Sequence, residues 1–280
     1  MKQTIYVYYA NIQNMGDLLN RDIIEECFGY RVVRRSYLTG ELSGIGSGLG
    51  NYTYEDNKVK NVLKAVSSPF FPKVYVWGTG FISYKKQDTH FYKKNTEICA
   101  VRGKLSKRRV EKILGYKLSI PVGDAGLLSS FLLKCRPEFK YDIGIIAHYK
   151  EQNEPVFKAL CKKFKSSLFI DVKKTPREVI YEIAQCRSII SSSLHGLIIA
   201  DSLGIPNRHI VVTSKMLGDG FKFDDYYSAF DIKHKYTDLN KETIDDLAEI
   251  KDGYKITPEM VENKKKSLIS CFPYPIITKR

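Results

Sequence analysis

The chain has 280 residues, 43% hydrophobic and 27% charged, with 45 Lys/Arg against 31 Asp/Glu and a formal net charge of +14. This is an ordinary globular composition, long enough for an ample core without staples. No apolar run approaches the ~20 residues of a membrane span, and the start runs directly into a strand pattern with no signal peptide.

In chain order, the β-branched and aromatic residues 4–9 read as a strand, 17–27 as a helix and 31–36 as a second strand. A Gly/Ser-rich loop over 39–51 precedes a helix over 57–66, a short buried strand over 73–77, a strand over 97–101 and a basic helix over 104–114. Gly123-Asp124-Ala125-Gly126 introduces an apolar helix or turn reaching Leu133, and residues 134–140 read as a linker. The pattern restarts with strand 141–147, helix 154–164, strand 168–172, helix 176–186 with Pro in its first turn, and strand 188–192. A helix from Gly196 stops at Gly204 and Pro206, and strand 209–213 completes the unit. Residues 220–227 read as a dense loop after that last strand, and 241–250 and 258–269 as two closing helices.

Strands alternating with helices predict an α/β architecture: two Rossmann-like domains with parallel sheets and a cleft between them. The expected boundaries are a basic N-terminal domain over 1–135, a second domain over 136–255, and a C-terminal helix and tail over 256–280. Cysteines 27, 99, 135, 161, 186 and 271 show no Cys-x-x-Cys spacing, so reduced cytosolic thiols are expected rather than disulfides or a zinc site.

The charge is uneven: residues 1–140 hold 23 Lys/Arg against 12 Asp/Glu, and residues 141–280 hold 22 against 19. A basic half suggests an anionic partner: a phosphorylated substrate, an acidic membrane surface or nucleic acid; a solvated basic surface is the plain alternative. Lys85–Lys86, Lys93–Lys94 and Lys104/Lys107/Arg108/Arg109 cluster beside Tyr84, Phe91 and Tyr92. No nucleic-acid-binding signature accompanies them, so no nucleic-acid partner is expected.

The most informative motif is Ser191-Ser192-Ser193-Leu194-His195-Gly196, where a buried strand meets a helix start. In open α/β sheets this is where ligands bind, and a helix start offers N–H groups and positive dipole to an anion. His195 is the acid–base candidate, with a satisfied structural histidine as the alternative. Asn14-Met15-Gly16-Asp17 occupies the first strand-to-helix turn, where Gly16 permits close approach and Asn14 or Asp17 can cap the helix or face the cleft. Gly78 and Gly80 follow a buried strand, but lack the rest of a dinucleotide fingerprint.

Arg102 follows strand 97–101, placed either to clamp a carboxylate or phosphate, or to pair with an acid such as Asp124. Asp124 can line the cleft or simply cap the next helix. His148 ends a strand and points toward the cleft, and Lys222 can neutralise an anionic donor or lie solvated in its loop. No Walker loop, metal-ligand spacing or Gly-x-Ser-x-Gly elbow occurs, so no metal is expected.

Together these motifs resemble the polysaccharide pyruvyl transferase family. The matching segments are Asn14-x-Gly16-Asp17, Gly78-Thr79-Gly80, Val101-Arg102-Gly103 with Ser106, Gly123-Asp124, Ser191 to Gly196 with Gly204-Ile205-Pro206, and residues 221–227. The resemblance spans roughly residues 5–230. It implies a fold similar to the glycosyltransferase B type and phosphoenolpyruvate as co-substrate, with no further cofactor. The implied product is a pyruvate ketal on a sugar of a capsular or exopolysaccharide precursor.

Carried over by position, Arg102, Leu194 and His195 would belong to the donor site; by their chemistry Ser191, Ser192 and Ser193, with the helix start at Gly196, are expected to hold phosphate there, and Lys222 to bind the donor. Asn14, Gly16, Asp17, Gly78, Gly80, Asp124 and His148 would line the cleft or acceptor side. Many members carry Arg immediately before the Leu-His pair; this chain has Ser193 there, and Arg208 or Lys222 is the expected replacement.

The chemistry requires cations for a carboxylate and a phosphate and one group that exchanges protons. His195 is expected to become charged when the phosphate dianion binds. An acceptor linked to a polyprenyl diphosphate, met at the inner face of the membrane, would account for the basic half and the Lys264–Lys266 run. The competing reading is a sugar-nucleotide glycosyltransferase using Glu178 or Glu182 on the ribose; a third is a non-catalytic anionic-surface binder.

Overall fold

The computed structural model describes residues 2–10, 14–53, 61–62, 66, 68–84, 90–91, 95–213 and 219–276. The expected helix over 57–66 lies mostly outside these residues, as do Lys85–Lys86, Tyr92 and Lys93–Lys94.

Two five-stranded sheets, every pairing parallel, form the framework. The first contains β1 (Thr4–Tyr8), β2 (Arg31–Arg35), β3 (Leu42–Ser43), β4 (Val74–Trp77) and β5 (Thr96–Ala100), in the order β2-β1-β3-β4-β5. The second contains β6 (Ile143–Ile146), β7 (Ser167–Ile170), β8 (Ile189–Ser191), β9 (Asn207–Val211) and β10 (Tyr236–Asp238), in the order β10-β9-β8-β6-β7. Buried parallel strands need apolar residues on both faces, which is why Ile143, Ile145 and Ile146 are all fully buried.

Among the described residues the α-helices are α1 (Met15–Cys27), α2 (Lys104–Leu114), α3 (Pro155–Lys163), α4 (Pro176–Ala184), α5 (Leu194–Ser202), α6 (Phe221–Ser228), α7 (Ala248–Gly253) and α8 (Pro258–Ser270). Three expectations are corrected. The glycine-rich loop holds β3, the central strand of the first sheet. Residues 221–228 form a helix, and β10 adds an edge strand after it. The closing helix expected over 241–250 is shorter and later, because residues 239–241 turn and α7 starts at Ala248.

Helix α5 is apolar all round, with Leu197, Ile198, Ile199 and Ala200 fully buried. It belongs to a large core cluster that contains residues of both sheets, whereas a smaller cluster covers the other face of the second sheet. Helix α8 returns to the first sheet: Trp77 Nε1 donates to Leu268 O at 2.8 Å, and Phe272 stacks on Phe28 at 3.7 Å. No helix among the described residues is long and apolar enough to cross a membrane.

Candidate functional site

A cavity of about 340 Å³ opens where the carboxyl ends of the two sheets meet. The first half contributes Tyr8 and Tyr9 after β1, Asn14 and Asp17 of the α1 start, the Gly46–Gly50 segment after β3, and Phe81 after β4. The second half contributes His148 after β6, Ser193 to His195 after β8, and Lys222 of α6. A larger cavity, about 600 Å³, lies at the β9–β10 edge. The smaller one is the candidate site, because the strand ends and helix starts that bind ligands in open α/β sheets converge there.

His195 occupies the second position of α5 and reaches across to Gly16, the second residue of α1. A Cβ on Gly16 would overlap Nδ1, Cγ and Cε1 of the imidazole. Only glycine therefore lets the ring lie on this backbone. The His195 Nε2 is buried without a hydrogen-bond partner. Burial pushes its pKa down to about 3, reinforced by the charges of Lys222 and Arg102 and by His148. His148 is lowered to about 4 by burial, then by Lys222 and Lys150. Both imidazoles are thus neutral at pH 7.

Asn14, not Asp17, is the N-cap of α1, its Oδ1 accepting from Gly16 N at 3.3 Å. Asp17 lies in the first turn facing the cavity. Burial raises its carboxyl to about 6, against hydrogen bonds from Asn14 and the Ala10 backbone.

The serine run divides. Ser191 Oγ accepts from Ser193 N and donates to Ser193 O, both at 2.9 Å, and Ser192 Oγ accepts from His148 N at 2.9 Å. Both are buried with their hydroxyls committed to backbone groups, so neither lines the cavity as the donor-site reading of this run expects. Ser193 and Leu194 line the cavity, and Ser193 caps α5 without using its side chain. The first N–H groups of α5 therefore have no side-chain acceptor, the arrangement that attracts an anion. Gly196 packs away from the cavity, against Ser191 and Ile146.

The carboxylate grip expected of Arg102 is corrected. Its side chain is fully buried and ion-paired to Asp225 at 3.0 Å. It also donates to Gly46 O, Ser47 Oγ and Phe81 O, so four of its five N–H donors are committed. The ion-pairing alternative is what the geometry shows, with Asp225 in place of Asp124. Gly80 packs on this pair and Gly78, at φ +91°, on Ala125, so neither lines the cavity. Asp124 is likewise off the cavity: it caps the 3₁₀ helix Ala125–Leu132 through Gly126 N at 2.8 Å, and burial raises its carboxyl to about 7.

Arg208 is in the larger cavity, donating to Glu249 O at 2.7 Å, and so does not replace the arginine missing at Ser193. Lys222 lines the same cavity as Ser193. Arg109, read from sequence as part of a surface cluster, is a cavity residue: its guanidinium lies 4.2 Å over Phe81 and donates to Ser83 O. Glu178 forms a capping box with Thr175 and Glu182 pairs with Lys174, which leaves the ribose-gripping reading without its acids. Lys265 is buried on Ser202 O and Glu262, and Lys264 is partly buried over Phe230, so Lys264–Lys266 is not a continuous basic face. Among the described residues no three or more His, Cys, Asp or Glu side chains are grouped to hold a metal ion. All six cysteines are free.

Residues 43–214 match the family model described as polysaccharide pyruvyl transferase. The uncharacterized protein L143 of Acanthamoeba polyphaga mimivirus is 30% identical over 286 aligned positions, covering 96% of this chain and 91% of that protein. A functionally uncharacterized protein of Klebsiella pneumoniae subsp. pneumoniae NTUH-K2044 superposes with a TM-score of 0.47 at 14% identity, covering 85% of this chain and 93% of that one. The Escherichia coli heptosyltransferase WaaC with ADP-2-deoxy-2-fluoro heptose gives a TM-score of 0.30 at 9% identity, covering 78% and 93%. The matched segment contains His148 and His195; Gly16, Asp17 and Lys222 lie outside it.

Proposed function

Because the chain belongs to the polysaccharide pyruvyl transferase family, we propose that it transfers an intact carboxyethylidene group from phosphoenolpyruvate to two hydroxyls of a sugar. The observation that carries this reading is the unpartnered imidazole of His195, lying across the cleft on Gly16 at the start of α5.

The donor brings a phosphate and a carboxylate. The uncapped N–H groups of α5 and the Lys222 ammonium suit one anion, and the Arg109 guanidinium, held against Phe81, suits the other. His195, neutral at pH 7, is the base that takes the attacking hydroxyl's proton. Burial and the neighbouring cations keep His195 neutral before reaction, so it enters the cycle with a lone pair free to accept that proton.

Tyr8, Tyr9 and Tyr149 offer apolar ring faces for a sugar, with Asn14, Asp17 and Asn51 beside them as polar partners. The acceptor is a capsular or exopolysaccharide precursor on a polyprenyl diphosphate, met at the cytoplasmic face of the membrane by the basic first half. Lys107 and Arg108 of α2, half-buried and exposed respectively, are available for that contact.

The test is phosphate release from phosphoenolpyruvate across a panel of lipid-linked sugars, with thermal-shift titration against nucleotide sugars alongside. Acceptor-dependent phosphate release with a methyl ketal in the product is expected. Stabilisation by a nucleotide sugar alone, with no phosphate release on any acceptor, would sink the proposal.

A further inference from the structure

The charged residues before and within α6 divide their partners unevenly. Asp219 accepts from Tyr84 N and Ser83 Oγ, both at 2.9 Å, and Asp224 accepts from Tyr84 Oη at 2.9 Å. Asp225 accepts from Arg102, from Ser106 N at 2.7 Å and from Ser106 Oγ at 2.6 Å. All three carboxylates fasten this helix start to the first half. Lys222, the cation among them, is fastened to nothing: among the described residues its ammonium has no hydrogen bond or ion pair, and its ring contact is Phe223 at 5.1 Å. It is held out into the cavity beside His148, Ser193 and His195.

On the pyruvyl-transfer reading above, we propose that Lys222 is the proton donor to the methylene carbon of phosphoenolpyruvate, while His195 is the base for the sugar hydroxyl. The Lys222 Nζ–H bond breaks as the enol π pair forms the new C–H bond, leaving C2 electrophilic. The hydroxyl oxygen bonds to C2 and its proton passes to His195. The C2–O bond to phosphate then breaks, the pair leaves with phosphate, and His195 returns its proton to that leaving group. The second hydroxyl closes the ketal at C2, and the proton it sheds restores Lys222. One donor and one diol become one ketal and one phosphate.

The surroundings divide these roles. Burial first, then the charges of Arg102 and Lys150, lower Lys222 to about 8 against the opposing charge of Glu151. The ammonium stays charged at pH 7 yet is a far better acid than an ordinary lysine. Of the groups that face it, His195 and His148 are neutral at pH 7 and hold only a very weakly acidic N–H, Asp17 across the cavity is mostly ionised, and Arg109 never gives its proton up. The Tyr8 and Tyr9 hydroxyls are held by burial above the ordinary tyrosine range, which makes them weaker acids still.

The experiment uses the full chain with an acceptor that supports phosphate release. Lys222→Arg keeps the charge but cannot donate. It is expected to leave KM for phosphoenolpyruvate within about threefold, to lower kcat by about 100-fold or more, and to abolish the fall in kcat above pH about 8. Lys222→Met is expected to lose both binding and turnover, and thermal melts check that each variant is folded. A Lys222→Arg enzyme with near-normal kcat and an unchanged alkaline limb would overturn the proton-donor role while leaving pyruvyl transfer intact. A large rise in KM at unchanged kcat would overturn it in favour of anion binding alone. Absence of phosphate release by the wild-type chain on every acceptor would remove the underlying reading, and this one with it.

Discussion

Arg102 and Asp225, 123 residues apart in sequence, meet in a fully buried ion pair that ties the segment after β5 to the middle of α6. Removing one partner strands the other charge in the interior, a loss of about 3–5 kcal/mol. Asp225→Asn and Arg102→Met should each show that loss in urea unfolding. Arg102→Lys should not rescue it, because a single ammonium cannot serve Asp225, Gly46, Ser47 and Phe81 together. An Arg102→Lys protein of wild-type stability that has lost phosphoenolpyruvate binding would instead return Arg102 to the donor site.

Gly16→Ala separates helix formation from site geometry. Alanine is the better helix former by about 1 kcal/mol, so α1 has no intrinsic reason to weaken. The added Cβ must displace His195, and a shift of about 1 Å at a reacting group costs about 100-fold in rate. A folded enzyme with kcat reduced to that extent is expected. Full activity would mean that the His195 ring does not need this position.

His195 and His148 should remain neutral from pH 8 down to about 4, since burial and the cations around them oppose protonation. Nitrogen-15 histidine NMR reads this directly, and the neutral signal of His195 should persist with phosphoenolpyruvate bound. Appearance of an imidazolium signal on donor binding would favour an acidic His195 over the basic one.

Asp124 predicts a linkage between pH and stability. Its folded carboxyl is raised to about 7 from 3.8, so the native state holds the proton more tightly and loses stability as pH climbs through 7. Asp124→Asn does not titrate. Its stability relative to wild type should therefore improve between pH 4 and 7 and then level off, measured by chemical denaturation at fixed pH values. A constant difference across that range would contradict the shift.

Much of the framework is legible in the sequence because apolar strands and amphipathic helices carry their own period, as in α2 and α8. β3 does not: Leu42 and Ser43 are too few for a period, and the glycines around them mask a strand whose place is set by pairing with Val7, Tyr8, Tyr75 and Val76. His195 is readable from its strand–helix junction. The role of Arg102 is not, since an arginine at a strand end reads alike whether a ligand or a distant aspartate receives it. Arg109 hides for a related reason: within Lys107-Arg108-Arg109, only the helical turn decides which side chain faces inward over Phe81.

The return of α8 to the first sheet sets an order for folding during synthesis. Phe28 and Trp77 emerge from the ribosome well before Leu268 and Phe272, which cover them. The amino-terminal half therefore waits, its aromatic face open, for a segment nearly 200 residues downstream of Trp77. A fragment ending at residue 255 should bind an environment-sensitive dye that the full chain ignores, and equal dye binding by both would refute this order.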